Sequence, residues 1–187
     1  MLLSYCEILE LLEANVVQGA RPENVNGSSL DITLGNEVLS EQCPPDTSSS
    51  VRHWKLLSLR DREQPAMARH VMMPDNGYIL RPGEFILTHS AEIFNLPLDI
   101  SCEFKLKSSL ARMGINQLTA CWCDPGWAGS TITLELTNCL RFHGVHIRPG
   151  DKIGQMVFFR HTPVPEEHSY KVRGRYNNDR TVKGIKP

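Results

Sequence analysis

The chain has 187 residues, 41% of them hydrophobic, with 20 Lys and Arg against 21 Asp and Glu and a formal net charge of −1. That is enough chain for one domain with its own core, and a balance so close to neutral excludes a global field for nucleic acid or a membrane surface. No apolar run approaches the roughly 20 residues that cross a bilayer, and the start of the sequence lacks a charged stretch followed by an apolar one. A cytoplasmic protein is therefore expected, its six cysteines (Cys6, Cys43, Cys102, Cys121, Cys123 and Cys139) reduced, because no Cys-x-x-Cys or disulfide-like spacing occurs.

In chain order, "LSYCEILELLEAN" is the clearest helix. Ser4 and Glu7 form a capping box, and Ile8, Leu9, Leu11 and Leu12 an apolar face. "SLDITLGNEVL" alternates like a strand and is predicted to turn at Gly35-Asn36. "EQCPPDTSSSVRHW", residues 41 to 54, is Pro/Ser-rich and reads as a mobile loop. "YILRPGEFILTHS" and "VHIRPGDKIGQMVFFR" each read as strand, Pro-Gly turn, strand, and "STITLELTN" alternates almost without fault. Many short strands with regular turn signals predict an all-β sandwich or barrel-like domain carrying a short N-terminal helix. The last stretch, "YKVRGRYNNDRTVKGIKP", is basic and poor in apolar residues, so it is either disordered or ordered on a partner.

Chemistry concentrates in three places. In "KSSLARMGI", Lys107, Ser108, Ser109 and Arg112 are anion donors or the solvated face of a short helix. In "STITLELTN" the strand period of two puts Thr131, Thr133, Glu135 and Thr137 on one face and Ile132, Leu134 and Leu136 on the core face. Glu135 is then a solvated strand residue or a catalytic carboxylate. In "CWCDPGWAG", Asp124-Pro125-Gly126 reads as a turn whose Asp can bond to local backbone, and Trp122 and Trp127 line a pocket or pack in the core. Zinc is not expected. Cys121 and Cys123 face the same way yet make half a site, and His-x-Glu with Pro-Cys-x-x-Cys is absent. There is no phosphate-binding Gly-rich loop and no nucleophile elbow.

Taken together, "KSSLARMGI", "TACWCDPGWAGSTITLELTN" and "RPGDKIGQMVFF" resemble the consecutive motifs of the dCTP deaminase family, within the trimeric dUTPase-like superfamily. "PENVNGSSLDITLGN" is similar to its N-terminal strand and "YKVRGRYNND" to its C-terminal lid, whereas the Pro/Ser-rich loop and residues near 55 to 72 have no such likeness. The resemblance implies a distorted jelly-roll, dUTPase-like β-barrel over 1–169, a flexible lid over 170–187, and a homotrimer with active sites between neighbouring subunits. It implies zinc-free deamination of dCTP, or a closely related deoxycytidine triphosphate, with Glu135 as proton shuttle and Ala120 beside the reacting carbon. Lys107, Ser108, Ser109 and Arg112 would hold the triphosphate. Asp124, Thr133, Leu134, Gln155, Tyr170, Arg175 and Asp179 would contact the rest of the nucleotide. Mg²⁺ would arrive bound to the triphosphate, and dTTP is a candidate inhibitor.

Two departures bear on the product. Asp179 replaces a glutamine expected in the lid, which sets an acid where a phosphate contact was expected. Trp122 resembles members that also cleave dUTP to dUMP, but Pro125 stiffens the turn around Asp124, the carboxylate such cleavage would use. The expectation is therefore release of dUTP, with a bifunctional enzyme giving dUMP as the alternative and a non-catalytic trimeric nucleotide-binding protein as a third reading.

Overall fold

The computed structural model describes residues 1–43, 56–73 and 75–186, so most of the predicted Pro/Ser-rich loop lies outside the described residues. Helix α1 (Tyr5–Glu13) starts at the capping box, where Glu7 accepts from both the backbone N–H and the hydroxyl of Ser4. Ile8 and Leu11 bury its inner face. The strands follow as β1 (Val17–Gln18), β2 (Leu30–Glu41), β3 (Met67–Val71), β4 (Tyr78–Leu80), β5 (Phe85–Ser90), β6 (Ile93–Asn95) and β7 (Ile100–Leu106). Helix α2 (Ser108–Arg112) precedes β8 (Ile115–Gln117), β9 (Trp122–Cys123), β10 (Ala128–Ser130), β11 (Thr133–Asn138), β12 (Val145–Ile147) and β13 (Lys152–Arg160), and a last turn of helix, α3 (Tyr170–Arg173), opens the tail.

The expected all-β fold is present. One antiparallel sheet runs β8-β11-β5-β2-β13-β7-β9, with β3 added alongside β2; a second runs β1-β6-β10, and β12 pairs with β4. The two strand–Pro-Gly–strand units do not close as hairpins. Instead β4 of the first pairs with β12 of the second, Val145 opposite Leu80, so the two turns are crossovers between sheets. Leu30, Ile32, Leu34, Ile86, Leu134, Leu136, Met156 and Phe158 are buried in one continuous core.

The predicted turn at Gly35-Asn36 is not there. β2 continues through it, and the register shifts between Leu34 and Val38, where the strand exchanges β13 for β5 as its neighbour. Glycine is required for a close approach rather than for a turn. A Cβ on Gly35 would sit 2.2 Å from Cε1 of His89. The buried His89 ring donates from Nδ1 to the Ser90 carbonyl at 2.8 Å and accepts the Glu37 N–H at Nε2 at 3.3 Å. Burial lowers its pKa, in keeping with a neutral ring in that seat.

This gives a stability test. Gly35→Ala must displace the imidazole and is expected to cost about 1–3 kcal/mol in urea unfolding. Gly27→Ala, where a Cβ meets nothing within 4 Å, should stay within about 0.5 kcal/mol of the parent. Equal effects would remove the steric account of the bulge.

Candidate active site

β11 shows the predicted alternation, with Leu134 and Leu136 fully buried and Glu135 half-buried on the other face. Glu135 faces a cavity of about 420 Å³. Its strand neighbours fix it from both sides. Leu87 of β5 lies opposite, and the Glu135 carbonyl accepts Leu118 N–H at 3.1 Å. The carboxylate accepts from its own backbone N–H and from Gln117, whose Nε2 donates to Oε2 at 3.4 Å and to Cys121 Sγ at 2.7 Å. Burial raises the pKa of Glu135, against the smaller opposing effect of hydrogen bonds to its charged form. Burial and the nearby Glu135 charge also push the Cys121 thiol well up, so it remains protonated. Cys102 and Cys123 face each other across β7 and β9. A third thiol therefore joins the two that the sequence paired, although among the described residues no group of His, Cys, Asp and Glu is arranged to hold a metal ion.

Of the residues singled out in the sequence, Glu135, Ala120, Thr133, Tyr170 and Asp179 meet around this cavity, together with Trp122 and Trp127. Leu134 does not, because the alternation that frees Glu135 turns Leu134 into the core. Lys107, Ser108, Ser109, Arg112, Asp124, Gln155 and Arg175 are also outside its lining. Ser108, Ser109 and Arg112 are exposed on α2. Lys107 is tethered by Asp31 at 2.6 Å, and Lys152 reaches the same carboxylate at 3.0 Å. Burial alone would raise the Asp31 carboxyl, but hydrogen bonds from Lys107, Asn26 and Lys152 outweigh it and hold the pKa at about 2. The two lysines keep one net positive charge beside α2.

The Asp124 turn differs from expectation. Its carboxylate is exposed and accepts Trp122 Nε1–H at 2.9 Å, whereas the backbone bond of the turn runs from Trp127 N–H to the Asp124 carbonyl. Proline therefore does not tie this side chain to backbone donors. The tail, read as disorder or a lid, packs against the cavity wall. Trp127 Nε1 and Ser130 Oγ both donate to the Tyr176 carbonyl at 2.8 Å, and Thr131 N–H donates to the Asp179 carbonyl at 2.8 Å. The unexpected acid at 179 has its own counter-ions, Lys183 at 2.7 Å and Lys186.

A family model described as dCTP deaminase-like matches residues 2–161. The chain belongs to that family. Among its relatives, a protein of Kocuria rhizophila named dCTP deaminase, dUMP-forming, is 41% identical over 120 residues, which are 63% of this chain and 60% of that protein. One of the same name from Streptomyces coelicolor is 36% identical over 162 residues, 83% of this chain and 78% of the relative. The fold is similar to the crystal structure of a 2'-deoxycytidine 5'-triphosphate deaminase from Agrobacterium tumefaciens, with a TM-score of 0.63 at 20% identity over 86% of this chain and 48% of that one. Gln117, the side chain that bonds to Glu135, is a residue that sequence reasoning missed. Nothing in "INQL" marks it except a lone amide at the end of a short strand.

The raised pKa of Glu135 has a consequence for stability. The folded protein holds this proton more tightly than the unfolded chain, so the group's contribution is complete below its ordinary value of 4.5 and is lost as the pH climbs through the raised value. Glu135→Gln has no charge to bury. It should melt at a higher temperature than the parent at about pH 7, with the difference vanishing below the ordinary carboxylate range. A difference that persists unchanged into acid would show that desolvation of Glu135 is not its source.

Proposed function

We propose that this protein hydrolyses dCTP, replacing the cytosine C4 amino group with oxygen, and then cleaves the triphosphate, so that dCTP and two waters become dUMP, ammonia and pyrophosphate. The observation that carries deamination is Glu135, a half-buried carboxylate with a raised pKa at the wall of a largely apolar cavity. Adding water at C4 requires a group that takes a proton from water, gives one to N3 and later gives one to the departing amine. A carboxylate shifted toward neutral pH does this in turn. Gln117 and the backbone N–H of Glu135 orient the carboxylate at the wall of the cavity that the water would enter. Ala120 leaves room beside the ring. Mg²⁺ belongs to the substrate, accompanying its phosphates.

The second cleavage is favoured over the expected release of dUTP by two findings. The relatives at 41% and 36% identity carry dUMP-forming in their names. The Asp124 carboxylate, which Pro125 was expected to tie down, is exposed with a single side-chain donor and is open to orient a water toward the α-phosphate.

Phosphate binding by α2 implies more than one copy of the chain. Lys107, Ser108, Ser109 and Arg112 do not line the Glu135 cavity of their own chain, yet one nucleotide must touch both. The reading is a homotrimer in which α2 of one copy holds the phosphates of the nucleotide whose base lies against Glu135 of a neighbour. The exposed apolar side chains Met113, Leu118 and Trp122 on the segments between α2 and the cavity wall suit such a contact.

The test is a time course of purified protein with dCTP and Mg²⁺, following ammonia, pyrophosphate, dUTP and dUMP. Ammonia and pyrophosphate should rise together with dUMP and no free dUTP. Accumulating dUTP would return the assignment to a deaminase alone, and unconsumed dCTP would leave only nucleotide binding.

A further inference from the structure

Residues near 55 to 72 matched none of the motifs, yet β3 and the segment before it reach the cavity. β3 pairs with the outer half of β2, Glu37 opposite Val71 through Glu41 opposite Met67. Gln64, Pro65 and Met67 then form part of the cavity wall. β3 has hydrogen-bonding capacity on the side away from β2, a strand edge that proteins cover. Here the end of the chain is held by side chains of β3 and the segment before it. Arg69 Nη2 donates to the Val182 carbonyl at 2.9 Å across 113 residues, and Gln64 Nε2 donates to the Ile185 carbonyl. Val182 is fully buried, and the fit at Gly184 is close enough that a Cβ would lie 2.2 Å from Gln64 Oε1.

Electrostatics favour this contact only because of a third residue. From 170 onward the chain carries Lys171, Arg173, Arg175, Arg180, Lys183 and Lys186 against the single acid Asp179. A bare guanidinium would repel such a segment. Glu37 on β2 pairs with Arg69 and offsets its charge, while Asp179 draws in Lys183 and Lys186. Arg69 can then act as a hydrogen-bond donor to backbone.

We propose that the β2–β3 pair is the docking ledge of the C-terminal segment and that Arg69 is a positioning residue for turnover, keeping the cavity covered with Lys183 at its wall. Docking stands on contacts within this chain. Its effect on turnover rests on the deaminase reading above, so the two are read out separately.

The experiment is limited trypsin digestion followed by intact-mass analysis, which needs no substrate. Arg180 and Lys183 are cleavage points inside the docked segment. Arg69→Ala should speed cleavage there by about tenfold, the factor for one charge-assisted bond, with the remainder of the chain as resistant as the parent. Arg69→Lys should recover part of the protection. Gly184→Val, whose side chain would push the Gln64 amide off its bond to the tail, should expose the same bonds. In turnover, Arg69→Ala should lower kcat about tenfold or more with a smaller change in KM, because α2 and the cavity floor are untouched. Tail cleavage at the parent rate in both Arg69→Ala and Gly184→Val would overturn the ledge. Faster cleavage with unchanged kcat would overturn the role of Arg69 in turnover.

Discussion

A carboxylate leaves water only at a cost, and the site is built around keeping Glu135 where that cost is bearable. Period two along β11 sends Leu134 and Leu136 into the core. Glu135 is left on a rigid central strand, held by β5 on one side and β8 on the other. Its own backbone N–H and an amide bond from Gln117 give the carboxylate a direction and pull its pKa down, but burial outweighs both and raises it. A group in that condition gains from meeting a water and a ring nitrogen, which makes the half-buried carboxylate a reactive one.

Lys183 lines the same cavity as Glu135, but its charge is taken up by another acid. Asp31 gathers Lys107 and Lys152 beside α2, and Asp179 gathers Lys183 and Lys186. Had Lys or Arg paired with Glu135, its pKa would fall. Ser108, Ser109 and Arg112 are exposed on α2, outside the lining of the Glu135 cavity, so the proposed nucleotide would need a second copy of the chain to meet both.

Much of this was legible in the sequence because it depends on neighbours along the chain. The Ser4–Glu7 capping box, the alternation through Glu135 and the Pro-Gly turns are local patterns, and each appears in the structure. The failures share one cause. Gly35 reads as a turn residue because glycine beside asparagine usually is one; its actual reason is His89, far along the chain and packed against it. The pairing of β4 with β12 and the seat of Val182 on Arg69 are likewise long-range contacts with no local signature. The motif resemblance draws Lys107 through Arg112 and Glu135 into one site between neighbouring subunits, and within one chain only Glu135 of these lines the cavity. The period-two position of Leu134 turns its side chain inward, as the alternation predicts.

The central claim is that one nucleotide bridges α2 of one copy and Glu135 of another. Two variants, Glu135→Gln and Arg112→Ala, each expected to be inactive alone, test it when their subunits are mixed in equal amounts, dissociated and reassembled. If each site draws its glutamate and its arginine from different copies, random assembly makes about one quarter of the sites intact. Deaminase activity should then return to about a quarter of the parent's. A mixture that stays as inactive as either variant, although mass analysis shows mixed assemblies, would mean that both residues serve the same chain's site and would contradict the account.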